Sequence, residues 1–264
     1  CFDLPEAFAE LEKARGRIQP IIWAHHDDGE YIGRPMKSQE NFCDKLEKLD
    51  ARGYGIIHWM KRPLDLHFRN HEKQVWASTR NQSCRQTCER AARHWFGEAN
   101  AETMTGYLYD WWTQAPNFGR VTTDKFFLSW ESIPDPQGTI EACRRRLELL
   151  AGVDLTAMPP AGREKVAYFR ELEAMIISFC RVQELALRPA IQALEGRDFV
   201  RARGLLESAD PAETMRSVSW LSQLDGGDRS EEALILSLGT RWLTDYYAAR
   251  QKAGLDPVRI NFAP

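Results

Sequence analysis

The chain has 264 residues, 43% hydrophobic and 28% charged, enough large apolar side chains to close one or two cores and too many for a disordered chain. Its 35 Lys and Arg against 38 Asp and Glu leave a net charge of −3, which excludes the global basic field of a nucleic-acid or anionic-lipid binder. The longest uncharged apolar stretch, around Ala174 to Cys180, is far shorter than the roughly 20 residues of a membrane span, so neither a transmembrane segment nor a signal peptide is expected within these residues.

In chain order, the pattern predicts an amphipathic helix over Pro5 to Ala14, a β-rich run over Ile18 to His25 and a polar loop. A helix over Gln39 to Ala51 and a second β-rich run over Tyr54 to Met60 follow. Helix and strand alternating with short connections is the signature of βα units and a parallel sheet. Both β-rich runs are almost continuously apolar, Pro20-Ile21-Ile22-Trp23-Ala24 and Gly55-Ile56-Ile57-His58-Trp59, as expected of strands covered on both faces.

Past Phe68 the strand signal stops. Helices are expected at Leu66 to Ser78, Ser83 to Phe96, Ala101 to Gln114, Thr139 to Ala151, Pro160 to Glu195, Asp198 to Ser208, Pro211 to Gln223 and Ser230 to Ala253. Asp198 and Asp210-Pro211 read as start signals, and Gly196 and Gly254 as stops. Val166, Phe169, Leu172, Ile176, Phe179 and Val182 recur at three- and four-residue steps, a core-facing stripe along the longest helix. No repeat period recurs that would make a solenoid.

The two regimes give an α/β region over residues 1–68 and a mainly α region over 69–264. Two parallel strands cannot form a stable sheet by themselves, so the expectation is the carboxyl-terminal part of a larger protein: the last βα units of a (β/α)8-type barrel, followed by a helical domain. The strand-like Val258-Arg259-Ile260-Asn261-Phe262 suggests that more chain follows. In a barrel, loops at the carboxyl ends of the strands carry the active site.

Those loops are where the chemistry concentrates. Trp23-Ala24-His25-His26-Asp27-Asp28-Gly29-Glu30-Tyr31-Ile32-Gly33-Arg34-Pro35 crowds three carboxylates, two imidazoles and a guanidinium behind a buried strand. A merely solvated loop rarely has this make-up, and functional residues favour such positions. His58-Trp59-Met60-Lys61-Arg62-Pro63-Leu64-Asp65 occupies the corresponding end of the next strand. Neighbouring strands are under about 5 Å apart, so the two clusters are expected to line one cleft.

Three readings fit that cleft. Paired carboxylates among Trp and basic residues suit glycosidic cleavage, in which one acid protonates the leaving oxygen and the other activates water or attacks carbon. His25, His26, His58, Asp27 and Asp28 are also ligand types for zinc or manganese in a metal-dependent hydrolase. Adjacent His25 and His26 on a strand would point to opposite faces, which argues against their sharing one ion. The third reading is a non-catalytic carbohydrate-binding or structural helical module, for which an 11% aromatic content provides stacking rings.

The run Glu30-Tyr31-Ile32-Gly33, after a strand and before a helix, resembles the Glu-Tyr-Thr-Gly run of the family 67 xylan α-glucuronidases. The order of elements over Ile18 to Gly97 is similar too, with Gln74-Val75-Trp76 and Trp95-Phe96-Gly97 in the entry to the helical domain. Family 115 also places a helical region after its barrel. In family 67 the Glu of this motif is one of two carboxylates implicated as the base that activates water in an inverting mechanism, so the resemblance implies that Glu30 is the base candidate, with the other carboxylate on an earlier barrel strand. This chain departs from the family pattern at Gly29 and Arg34, where Gln is usual, and at His58-Trp59, where an Asn-rich turn is expected.

The favoured reading is therefore a glycoside hydrolase, with Glu30, Asp28 and Asp27 as catalytic candidates and His25, His26, Arg34, His58, Trp59 and Arg62 as substrate-binding candidates. Trp23, Tyr31 and Trp59 would partly desolvate Glu30 and favour proton exchange near neutral pH. Arg34, Lys61 and Arg62 suit a uronic acid, because guanidinium pairs a carboxylate through two charge-assisted bonds; pairing of these arginines with Asp27, Asp28 or Asp65 is the competing use. The general acid is expected in the missing N-terminal part of the same protein. Expected partners are an oligosaccharide or polysaccharide, with no nucleic acid and no membrane span, and a homodimer is left open. Action on plant or algal polysaccharide implies a periplasmic or extracellular location.

No Walker A run, dinucleotide glycine fingerprint or Gly-x-Ser-x-Gly elbow is present, and neither cofactor nor metal is expected. Cys84 and Cys88, four apart on a helix, are poorly placed for a disulfide, and with Cys1, Cys43, Cys143 and Cys180 they read as mostly free, buried thiols. Trp111-Trp112, with Tyr107 and Tyr109, reads as helix packing ahead of a sugar platform. Phe118-Gly119-Arg120 reads as a loop, Arg144-Arg145-Arg146 as a solvated helix face, and Trp242, Tyr246 and Tyr247 as packing for the last helix.

Overall fold

The computed structural model describes residues 9–10, 12–14, 21–23, 53–55, 66, 69–70, 72–73, 82–114, 133–221 and 243–259. Strands β1 (Ile21–Trp23) and β2 (Gly53–Gly55) pair in parallel, with Ile21 opposite Gly53, Ile22 opposite Tyr54 and Trp23 opposite Gly55. The parallel pairing expected from the alternating pattern is thus present. Described β2 begins at Gly53, one residue ahead of the run expected from Tyr54, and the rest of that run, residues 56–60, lies outside the described residues. Among the described residues the sheet has two strands, so it supplies no further strand of a barrel.

The rest of the described chain is mainly helical. Helix α1 (Cys84–Phe96) starts in a capping box: the Gln86 backbone N–H donates to the Ser83 hydroxyl, and the Ser83 N–H donates to the Gln86 side chain at 2.9 Å. It stops at Gly97, whose φ of 81° closes the helix and opens a 3-10 turn at Glu98–Asn100. Helix α2 (Ala101–Gln114) has the bounds expected from the pattern.

Helix α3 (Pro136–Ala151) begins three residues before the expected Thr139. Asp135 caps it, accepting from the Gly138 N–H at 2.9 Å, and Pro136 fits the first turn, where its missing N–H costs nothing. Asn100 ties the α1–α2 junction to the chain after α3. Its amide donates to the Phe96 and Asp154 carbonyls, and its carbonyl accepts from the Asp154 N–H.

The helix expected over Pro160 to Glu195 is continuous but changes gauge. It comprises α4 (Pro160–Phe179), a π-helical stretch (Cys180–Leu187) and α5 (Arg188–Glu195). Pro189 accounts for the wider turn. It has no N–H for the Leu185 carbonyl, and its ring would collide with that oxygen in a regular α-helix. The Arg188 N–H accordingly reaches five residues back, to Gln183.

Helices α6 (Phe199–Ser208), capped by Asp198, and α7 (Pro211–Leu221) follow, and α8 is described over 243–252. Val166, Leu172, Ile176, Phe179 and Val182 of the predicted stripe are buried and Phe169 is packed beside them. Two apolar cores result, one around α1, α2 and the amino-terminal part of α4, the other around the rest of α4 and the later helices. Trp111 and Phe169 pack against both.

A close approach fixes how α4 meets α1. A Cβ on Gly162 would lie 2.2 Å from the Trp95 carbonyl oxygen and 2.9 Å from Met158 Cγ, so only glycine allows the backbones this near. At the other end, buried Tyr246 donates to the Leu206 carbonyl at 2.9 Å, and Arg203 donates to the Ala253 carbonyl that ends α8. The Arg250 guanidinium holds the Asp256 carbonyl through two nitrogens, at 3.0 and 2.8 Å. The expected packing role of Tyr246 is met; Trp242 lies outside the described residues.

Candidate functional site

The residues singled out in the two loops, His25, His26, Asp27, Asp28, Glu30, Arg34, His58, Trp59 and Arg62, lie outside the described residues, as do Tyr31, Lys61 and Arg120. What is described is the ladder from which their segments continue. β1 and β2 run the same way, and their last described residues, Trp23 and Gly55, stand opposite each other. Residue 24 and residue 56 are therefore the next in sequence from the same end.

Among the described residues of the helical region, a buried polar constellation centres on Arg146, the third arginine of the run expected on a solvated face. Arg144 and Arg145 are exposed as expected, but Arg146 is 1% exposed. It shares the inward face of α3 with Ile140, Cys143 and Leu150, a three- and four-residue spacing that carries its side chain into the core. Its guanidinium meets Glu173, itself 0% exposed on α4, with Nε to Oε1 at 2.7 Å and Nη2 to Oε2 at 3.0 Å. The remaining Nη1 donates to Asp110 of α2 at 2.9 Å.

Glu173 accepts further bonds from the Tyr107 hydroxyl at 3.2 Å and from the Trp111 indole N–H. The Arg146 guanidinium also stands 5.5 Å from the Trp111 ring centre, and Nη2 donates to Cys143 Sγ at 3.3 Å. Tyr107 and Trp111, one turn apart, are thus committed to the interior of the helical region, which satisfies the packing reading for these two rings. Tyr107 stacks against Phe169 at 5.0 Å between ring centres.

The electrostatics follow from this enclosure. Burial alone would lower the Arg146 pKa, but the hydrogen bonds and charge of Glu173, reinforced by Asp110, hold the guanidinium above its usual range. Burial, and then the Glu173 charge, push the Tyr107 hydroxyl and the Cys143 thiol upward. Cys88 and Cys180 are each pushed up to about 12, chiefly by burial. The free, buried state expected for the thiols holds for Cys84, Cys88, Cys143 and Cys180; Cys1 and Cys43 lie outside the described residues.

All three Arg146 nitrogens and both Glu173 oxygens are engaged, so this cluster ties α2, α3 and α4 together and presents no open acid, base or nucleophile. The cluster reaches solvent at Asp110, with its side chain 31% exposed, and at the half-buried Trp111. The cluster was legible in principle: Glu173 stands four residues after Phe169 and three before Ile176, on the core stripe, and Arg146 has the matching position on α3.

Among the described residues no group of three His, Cys, Asp or Glu side chains is placed to hold a metal ion, and no helix is long and apolar enough to cross a membrane. Comparison with protein-family models, with curated proteins and with solved structures finds no match to this chain.

Proposed function

We propose that the chain carries part of the active site of a glycoside hydrolase acting on polysaccharide-derived oligosaccharides, with α-linked uronic acids as the favoured substrate class. The observation that supports this reading is the parallel pairing of β1 and β2. Their shared end is the point from which the carboxylate-rich segment after Trp23 and the His58–Arg62 segment after Gly55 both continue. In open and closed α/β sheets, ligands gather at the carboxyl ends of parallel strands.

In this proposal Glu30 takes a proton from water as the oxygen attacks the anomeric carbon. A carboxylic acid other than Glu30 protonates the departing oxygen, as displacement at the anomeric centre requires. Asp27 and Asp28 add negative charge that favours the oxocarbenium-like transition state, and Trp59 offers a ring for a sugar face. His25, His26 and His58 bind hydroxyls, and Arg34 and Arg62, with Lys61, neutralise the substrate carboxylate. The helical region is support, consistent with the closed Arg146–Glu173 cluster in its interior.

The test is the kinetics of Glu30→Gln in the intact polypeptide, on uronic-acid-capped and neutral oligosaccharides, with far-UV circular dichroism to establish that the fold is kept. Loss of the base should lower kcat by roughly 10²–10⁴-fold, the range for a positioned general base. Near-normal turnover in a folded Glu30→Gln protein overturns the assignment of Glu30.

A further inference from the structure

We draw no further inference here: the strongest candidate, the groove of about 290 Å³ between α5 and α8 with Ile191, Leu194, Ala248 and Ala249 in its walls and Glu195, Asp245 and Lys252 at its polar positions, carries nothing because nothing in the structure shows what covers it.

Discussion

Replacing Arg146 by Met should destabilise the helical region strongly, because it leaves the Glu173 charge buried without its main partner. Arg146 is 1% exposed and Glu173 0%, so water cannot take over the lost bonds without opening the core. Removing one member of such a pair costs about 3–5 kcal/mol, whereas removing both charges together is far less costly. Glu173→Gln should cost less than Arg146→Met, since the amide oxygen still accepts from Tyr107 and Trp111 and Asp110 still faces the guanidinium. The double variant, Arg146→Met with Glu173→Gln, should therefore lose less stability than the sum of the two singles. Urea unfolding followed by far-UV circular dichroism at low and high salt measures all three. Additive losses, or a cost below about 1 kcal/mol for Arg146→Met, a value typical of a surface pair, would show that Arg146 and Glu173 are not coupled in an enclosed pair.

Gly162→Ala should cost about 3 kcal/mol or more and lower Tm by roughly 6–12 °C, because the new methyl would meet the Trp95 carbonyl oxygen. Gly204→Ala, with nothing within 4 Å of the new Cβ in helix α6, should instead stabilise by about 0.5–1 kcal/mol; equal effects at both sites would contradict the packing described. Tyr246→Phe should cost about 1 kcal/mol in the same unfolding assay, because the Leu206 carbonyl loses its 2.9 Å donor and keeps only the longer bond from Arg250 Nη1 at 3.5 Å. A thiol whose folded pKa is raised stabilises fully below its unfolded value and loses that contribution as pH climbs. Cys88 and Cys180, raised from 9.0 to about 12, should thus make stability fall between pH 9 and 12. Cys88→Ala with Cys180→Ala should flatten that fall; an unchanged alkaline limb in the double variant would show that the thiols are not its source.

The helical architecture was legible because its signals are local and redundant. Ser83 with Gln86, Asp198 before Phe199, and the stripe from Val166 to Val182 each join a cap or a period to an apolar face. Asp135-Pro136 carries the same information for α3, three residues ahead of Thr139. The π-helical stretch was hidden because its cause, Pro189, lies inside a strong helical period and displaces the hydrogen bonds preceding it. The parallel pairing of β1 and β2 follows from the alternation of helical and apolar segments, but the register does not, since the described β2 is Gly53-Tyr54-Gly55, with no side-chain pattern to fix it. The burial of Arg146 is hidden in the sequence because three consecutive arginines resemble a solvated face, although a helix turns the third inward when Cys143 and Leu150 share its side. For the loop residues, Glu30 above all, the reading rests on residue types and spacing together with the shared end of the ladder.

Glycosidic cleavage can be followed by proton NMR of the intact polypeptide mixed with a uronic-acid-capped xylo-oligosaccharide and with its neutral counterpart, in the presence and absence of EDTA. A glycoside hydrolase of the proposed kind should give a new anomeric resonance from released sugar, faster from the acidic substrate and unaffected by the chelator. Saturable binding of the oligosaccharide with no released sugar would contradict it and favour a carbohydrate-binding module, and cleavage abolished by EDTA and restored by zinc or manganese would favour a metal-dependent hydrolase.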